Sequence, residues 1–267
     1  MSPIAIDLGI VQIYWYSITM LLAVIFGSML AYFELKRLKI DEYYFFNMIF
    51  YTIIFAFLGA RLYYVLFNLD YYLSNLSEIP AVWHGGLAIH GGIIGGSLTI
   101  IIYSLKSKKT KDEILKYLDI SSIGILLGQI IGRWGNFFNL EAHGGITTKS
   151  FLQSIYIPEF IINGMTINGN IYHPTFLYES LLNIIGLIII LIVRKRKKLK
   201  NGMILSIYLM WYSCVRFFIE SMRTDSLMLG NLKMAQVISI ILFILGVIIF
   251  IYSLKKNDYY NQYESRG

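Results

Sequence analysis

The 267-residue chain is 57% hydrophobic and only 15% charged, carries a formal charge of +7 and has a mean hydropathy of +0.61. That balance excludes a soluble domain with an ordinary charged surface and indicates an integral membrane protein. The basic excess does not require nucleic acid, because it lies in short loops where topology and anionic headgroups account for it, and the single cysteine, Cys214, excludes both a disulfide and a thiolate metal cluster.

Seven apolar runs follow one another along the chain: 13–33, 43–67, 87–105, 120–138, 176–193, 203–219 and 234–254. Each is long enough to cross a hydrocarbon core of ~30 Å at ~1.5 Å per residue. The expected fold is therefore an all-α integral membrane protein, one polytopic domain built as a bundle of about seven transmembrane helices. Seventeen of the 23 Lys and Arg fall in 34–41, 106–116, 194–200 and the tail, all on one side of a seven-span arrangement. The positive-inside rule makes that side cytosolic and puts the N-terminus outside. The start, 1–7, has no basic region and reads as an uncleaved end.

Between the spans, residues 141–172 form the longest external connection. Its two Asn-Gly pairs, Asn163-Gly164 and Asn168-Gly169, predict hairpin turns and hence a small cap containing short strands. A second external segment runs from Tyr71 to Pro80, and the polar tail, about 256–267, reads as disordered. Cys214 lies mid-span and reads as a small buried apolar residue.

Four arginines, Arg61, Arg133, Arg216 and Arg223, interrupt or border apolar runs on the side away from the basic loops. A guanidinium in hydrocarbon serves a polar cavity, an ion path or an anionic ligand. Counted from the cytosolic ends, Arg133 lies ~24 Å, Arg216 ~20 Å and Arg61 ~27 Å along its helix. His90 and His173, near the starts of oppositely directed runs, fall at a similar height. Tyr212, Arg216, Glu220 and Arg223 share one helix face within roughly 80°, as Gln129, Arg133 and Asn136 do within roughly 60°. Glu220 can pair with Arg216 or Arg223, but Arg133 and Arg61 have no carboxylate at their depth on this reading, since Asp119 and Asp41 are a bilayer away. Unpaired guanidiniums there suit a phospholipid phosphate. Glycines around them, Gly91-Gly92, Gly95-Gly96, Gly132 and Gly135 among others, permit close helix contact or close approach of a ligand.

These residues fall in four motifs. They are Trp83-His84-Gly85-Gly86-Leu87-Ala88-Ile89-His90-Gly91-Gly92, Gly132-Arg133-Trp134-Gly135-Asn136-Phe137-Phe138-Asn139-Leu140-Glu141, His173-Pro174-Thr175-Phe176-Leu177-Tyr178-Glu179, and the stretch from Tyr212 to Asp225. In this order they resemble the prolipoprotein diacylglyceryl transferase family over nearly the whole chain. The resemblance implies an enzyme of the bacterial cytoplasmic membrane that moves diacylglyceryl from phosphatidylglycerol to the lipobox cysteine of a prolipoprotein signal peptide, releasing glycerol phosphate. It implies catalytic roles for His90, Arg133 and Arg216. It implies substrate contacts at Arg133, Asn136, Glu141, Gly144 and Tyr212, to which the polar faces add Arg61, Glu220, Arg223 and His173, with Tyr16 from the first run. Leu140 stands where the family pattern has glycine, and His143 where it has an aromatic residue.

The nucleophile belongs to the substrate, so the protein need supply only a base and a stabiliser for the leaving phosphate. A neutral His90 beside guanidinium charge suits the first role and the arginines suit the second. His84 reads as an interfacial histidine, and His173, before Pro174, as shaping the start of the fifth span. A lipid or anion transporter remains an alternative. Against it, the fifth and seventh runs carry almost nothing polar through their cytosolic halves, where a route should be wet. A metal-dependent hydrolase using His90, His143, His173 and Glu141 or Glu179 lacks tight ligand spacing, and no cofactor or metal is expected.

Overall fold

The computed structural model describes residues 3–9, 12–82, 85–230 and 232–261. A short hairpin, β1 (Ile4–Asp7) and β2 (Gln12–Tyr14), leads directly into α1 (Trp15–Leu38). Then come α2 (Glu42–Leu66), α3 (Leu69–Ser74), α4 (Ile89–Lys106) and α5 (Lys111–Asn139). The cap between spans contains β3 (Ile146–Thr147), α6 (Lys149–Ser154), α7 (Glu159–Gly164), β4 (Thr166–Ile167) and β5 (Asn170–Tyr172). The chain ends with α8 (Thr175–Val193), α9 (Met203–Met222), the hairpin β6 (Met228–Leu229) and β7 (Leu232–Lys233), and α10 (Met234–Leu254). Among the described residues six helices, α1, α2, α5, α8, α9 and α10, are long and apolar enough to cross a membrane, and the apolar stretch Gly91–Lys106 of α4 is shorter. The all-α membrane fold expected from the apolar runs is what forms.

The ends of these helices follow local chemistry. Thr110 and Glu113 form a reciprocal capping box, Thr110 N donating to Glu113 Oε2 at 2.7 Å and Glu113 N to Thr110 Oγ1 at 3.3 Å. This starts α5 nine residues before its apolar run and accounts for the difference from the expected 120–138. Asp41 caps α2 by accepting from Tyr43 N. The start of α9 is capped from another helix, as the buried Asp119 of α5 accepts from Gly202 N at 2.6 Å and Leu205 N at 2.7 Å.

The described residues up to 39 and from 115 onward make one compact unit, and those within 40–114 another. In the first, α1 and α5 meet at bare backbone, since a Cβ on Gly27 would lie 2.6 Å from the Gly124 carbonyl oxygen. Such closeness is how helices associate where lipid removes the hydrophobic drive between them. In the second, α2 and α4 touch the same way, with Gly59 against the Gly91 carbonyl. Gly95 likewise faces the Phe55 backbone, so the packing role holds for it.

The cap's three-stranded antiparallel sheet has the order β3-β5-β4. Asn168-Gly169 turns β4 into β5 with φ of 50° and 81°, the left-handed pair of a tight hairpin. The other expected hairpin does not form. Asn163-Gly164 instead closes α7, whose Ile161 and Ile162 are buried, because Pro158 sets the first helical turn just before Glu159. A cluster of Phe137, Ile161, Met165, Phe176 and Leu177, flanked by Trp134 and Tyr172, binds the end of α5, the cap and the start of α8 together.

Two further expectations change. Cys214 is exposed on the surface of α9 and not buried, which a weakly polar thiol tolerates against lipid. The polar tail is docked at least as far as Asn261. Tyr260 is fully buried, its N donates to Leu199 O at 2.8 Å, and its hydroxyl donates to Glu34 at 2.6 Å. The buried Glu34 of α1 also takes Arg37 and Arg194 as ion partners. A buried carboxylate needs such partners, and the tail supplies one of them.

Candidate active site

Three helices deliver alternating charges to one place in the larger unit. Arg133 comes from α5, Glu179 from the first turns of α8, and Arg216 and Glu220 lie one turn apart near the end of α9, where Arg223 caps the helix. Glu179, 2% exposed, is shared: Oε1 lies 2.7 Å from Arg133 Nη2 and Oε2 lies 3.4 Å from Arg216 Nη1. Arg216 Nη2 is 2.7 Å from Glu220 Oε2, and Arg223 Nη1 is 3.9 Å from that same oxygen. Arg223 then donates twice to Asp225, at 2.9 and 3.0 Å. The result is a chain of three guanidiniums and three carboxylates.

The expectation that Arg133 stands unpaired is therefore corrected. Its partner, Glu179, sits in the family-like His-Pro-Thr-Phe-Leu-Tyr-Glu motif, at the mouth of a helix that runs the other way, so Glu179 arrives at the arginine level. Asp119 and Asp41, acidic residues on or beside the helices of Arg133 and Arg61, lie a bilayer away, whereas Glu179 comes from a neighbouring helix. The α9 face is read correctly, since Arg216, Glu220 and Arg223 do interact along one side.

Around the chain, Arg133 Nη1 is 3.5 Å from Asn136 Oδ1, and Asn136 Nδ2 donates to Glu141 at 3.0 Å. The turn that brings Glu141 back has Leu140 at φ 55° and Ala142 at φ 58°. This left-handed backbone is the reason glycine fits the family pattern at 140. Ala142 N donates to Asp225 at 3.1 Å, and Ala142 O accepts from the Thr175 hydroxyl. Gly144 pairs with His173 through its N–H at 3.0 Å and bridges to Arg223. A Cβ at 144 would lie 2.7 Å from the His173 Cβ, so only glycine allows this crossing. His143 packs at a tilt against Tyr172 with centroids 4.3 Å apart, filling an aromatic place with an imidazole.

His173 does shape the start of α8, its carbonyl also accepting from Thr175 N, while Nδ1 lies 3.2 Å from the Tyr178 hydroxyl. Burial pushes the His173 imidazole below its ordinary pKa. For Asp225, burial works upward, but the hydrogen bonds and charge of Arg223 outweigh it and hold the carboxyl below the usual range. On the other flank Gln129 Nε2 donates to the Tyr208 hydroxyl at 3.0 Å, and Tyr208 stacks with Tyr212. Tyr16 of α1 lies over Gly135, where a Cβ would come within 2.8 Å of its ring.

Arg61 belongs to the smaller unit and is also fully engaged. It is buried and donates to the carbonyls of Glu78, Ile79, Ala81, Gly85 and Gly86, with its guanidinium against the Tyr72 ring. The expectation of an unpaired Arg61 is corrected too. It misses because backbone carbonyls, invisible to a count of acidic residues, supply the partners. An apolar cavity of about 1050 Å³ runs beside it, lined by Phe55, Leu58, Leu98, Ile102 and Tyr103 with Lys106. His90 lies in the first turn of α4; its side chain, and His84, are outside the described residues. Among the described residues no group of three His, Cys, Asp or Glu is placed to hold a metal ion.

Comparison with known proteins gives a consistent answer. The family model for prolipoprotein diacylglyceryl transferase matches residues 3–252. Over its whole length the chain is 43% identical to the phosphatidylglycerol-prolipoprotein diacylglyceryl transferase of Listeria monocytogenes and covers 95% of that protein. It is 45% identical, over 96% of its own length and 91% of the relative's, to the protein of the same name from Staphylococcus saprophyticus. With that of Staphylococcus haemolyticus the identity is 46%, over 94% of this chain and 88% of the other. A multi-pass helical chain that matches one family from its first hairpin into its last helix, with the 132–141, 173–179 and 212–225 motifs gathered around a buried arginine-carboxylate chain, belongs to the prolipoprotein diacylglyceryl transferases.

Proposed function

We propose that this chain transfers the diacylglyceryl group of phosphatidylglycerol to the lipobox cysteine of prolipoproteins, at the outer leaflet of the bacterial cytoplasmic membrane. The observation that carries the site is the convergence of Arg133 and Arg216, from separate helices, on a single buried anion, the Glu179 carboxylate. Guanidiniums that hold a carboxylate between them suit a phosphodiester equally well. In the reaction the substrate thiol attacks the terminal glyceryl carbon. A sulfur-carbon bond forms, the carbon-oxygen bond to phosphate breaks, and the phosphate oxygen keeps the electron pair. The thiol proton passes to a base, for which His90 is our assignment. Arg133 and Arg216 stabilise the charge growing on the departing phosphate, with Asn136, itself held by Glu141, against Arg133.

The apolar cavity along α2 and α4 has the size and lining to take acyl chains. Its basic rim suits anionic membrane lipid, and nothing in the chemistry calls for nucleic acid. On the seven-run reading, with an external N-terminus and a cytosolic tail, the arginine chain lies toward the outer side. Purified protein incubated with phosphatidylglycerol and a lipobox peptide should yield a diacylglyceryl thioether by mass analysis, and a Cys→Ser peptide should yield none. Absence of the thioether in folded protein would overturn the proposal. His90→Gln with near-normal transfer would remove the base assignment.

A further inference from the structure

We infer that Glu179 is a resident counter-ion that the lipid phosphate displaces and that then drives the product out. The inference rests on the transferase reading above and adds a positioning role for a residue that acts through the arginines. It follows from geometry and charge balance. Among the described residues Glu179 is the one carboxylate paired with both Arg133 and Arg216, using a different oxygen for each. The chain as built, Arg133, Glu179, Arg216, Glu220, Arg223 and Asp225, sums to zero charge. A phosphodiester joining it adds one negative charge at low dielectric, where uncompensated charge is expensive. One carboxylate must therefore release its partners or take up a proton.

The candidates differ in how they are held. Glu220 sits between Arg216 and Arg223 within a single helix, and Asp225 is shared with the Ala142 N–H at the cap. Glu179 alone bridges two helices and alone occupies the gap between the two arginines assigned to the phosphate. When phosphate enters, Glu179 gives up its place. After the glyceryl carbon-oxygen bond breaks, glycerol phosphate carries a second ionisable oxygen and grips the arginines more tightly than the substrate did. A carboxylate poised to return competes with it and speeds its departure, a step that limits turnover in many enzymes.

The test compares wild type with Glu179→Gln, which keeps the shape and removes the charge. Inhibition by glycerol phosphate should tighten about tenfold, and KM for phosphatidylglycerol and kcat should both fall; the detergent melting temperature should fall as well, since two guanidiniums lose a buried partner. Glu179→Asp, which keeps the charge, should restore weak product inhibition. An inhibition constant in Glu179→Gln that is unchanged or weaker overturns the inference. Protein left unaltered but labelled with carbon-13 at glutamate carboxyls provides a check independent of folding. Glycerol phosphate should shift a carboxylate stretching band in the infrared difference spectrum, and a spectrum without that shift also overturns it. Arg133→Ala and Arg216→Ala separate the two levels. If neither weakens glycerol phosphate binding, the phosphate assignment itself fails. If both do while Glu179→Gln leaves inhibition unchanged, only the displacement fails.

Discussion

Arg133 and Arg216 are each held by a carboxylate before any substrate phosphate arrives, so their replacement acts on two levels. Arg133→Ala or Arg216→Ala should lower turnover by ~10²–10³, the scale for loss of one electrostatic stabiliser of a developing charge. It should also leave Glu179 partly uncompensated in the helix core. Mass-detected thioether formation measures the first effect and a melting curve in detergent the second. Arg61 makes a contrasting case. Lysine in its place offers one ammonium for five carbonyls spread over Glu78 to Gly86, so Arg61→Lys should destabilise the protein by ~1–3 kcal/mol through stranded acceptors. Melting temperature and protease resistance of the 68–88 segment are the readouts. These arginines could be found from sequence because charge inside an apolar run is conspicuous. Their partners could not all be found, because an antiparallel neighbour's height depends on where that helix starts, and carbonyls leave no mark in composition.

Helices show the same division. The reading of α10 agrees with the structure at both ends, since its apolar run is bounded by lysines on each side. The start of α5 was hidden by a polar amphipathic turn whose only signal is the Thr110-x-x-Glu113 cap. The Asn163-Gly164 pair carried a hairpin signal that Pro158 overrode five residues earlier. Pairing of α1 with α5 through Gly27 and Gly124 drew no attention in the sequence, where single glycines in apolar runs are common. It yields a clear expectation: Gly27→Ala sets a methyl against the Gly124 carbonyl and should cost ~1–3 kcal/mol by forcing the helices apart. Thermal unfolding in detergent measures this cost. Because α5 also carries Arg133, activity should drop along with stability.

At the scale of the molecule, acid should weaken the structure in two stages. The folded state holds the His173 proton less tightly than the unfolded chain does, so its contribution is complete above pH ~6.5 and is lost as pH falls through the lower folded value. Asp225 behaves likewise, with its contribution present above pH ~3.9 and lost below that as the carboxyl protonates and Arg223 loses its partner. Melting temperature followed from pH 7 to pH 3 should fall in both ranges, and Asp225→Asn should shrink the lower fall, to which Glu113 and Glu159 also contribute. On the tail side, Tyr260→Ala should cost ~3–5 kcal/mol by emptying a buried aromatic site and leaving Glu34 one donor short. Reading the tail as solvated followed from its polarity. What overrides this is a single tyrosine that the buried carboxylate of α1 draws inward.

Cys214 gives this arrangement one more consequence. In the reaction proposed above the nucleophile is a thiol, and the chain carries one of its own only two residues from Arg216. Two residues turn a helix by ~200°, so that sulfur lies exposed on the helix surface while the Arg216 guanidinium meets Glu179 and Glu220 inside. In the proposed reaction, a thiol of this chain is thereby aimed away from the arginines that would hold the lipid phosphate.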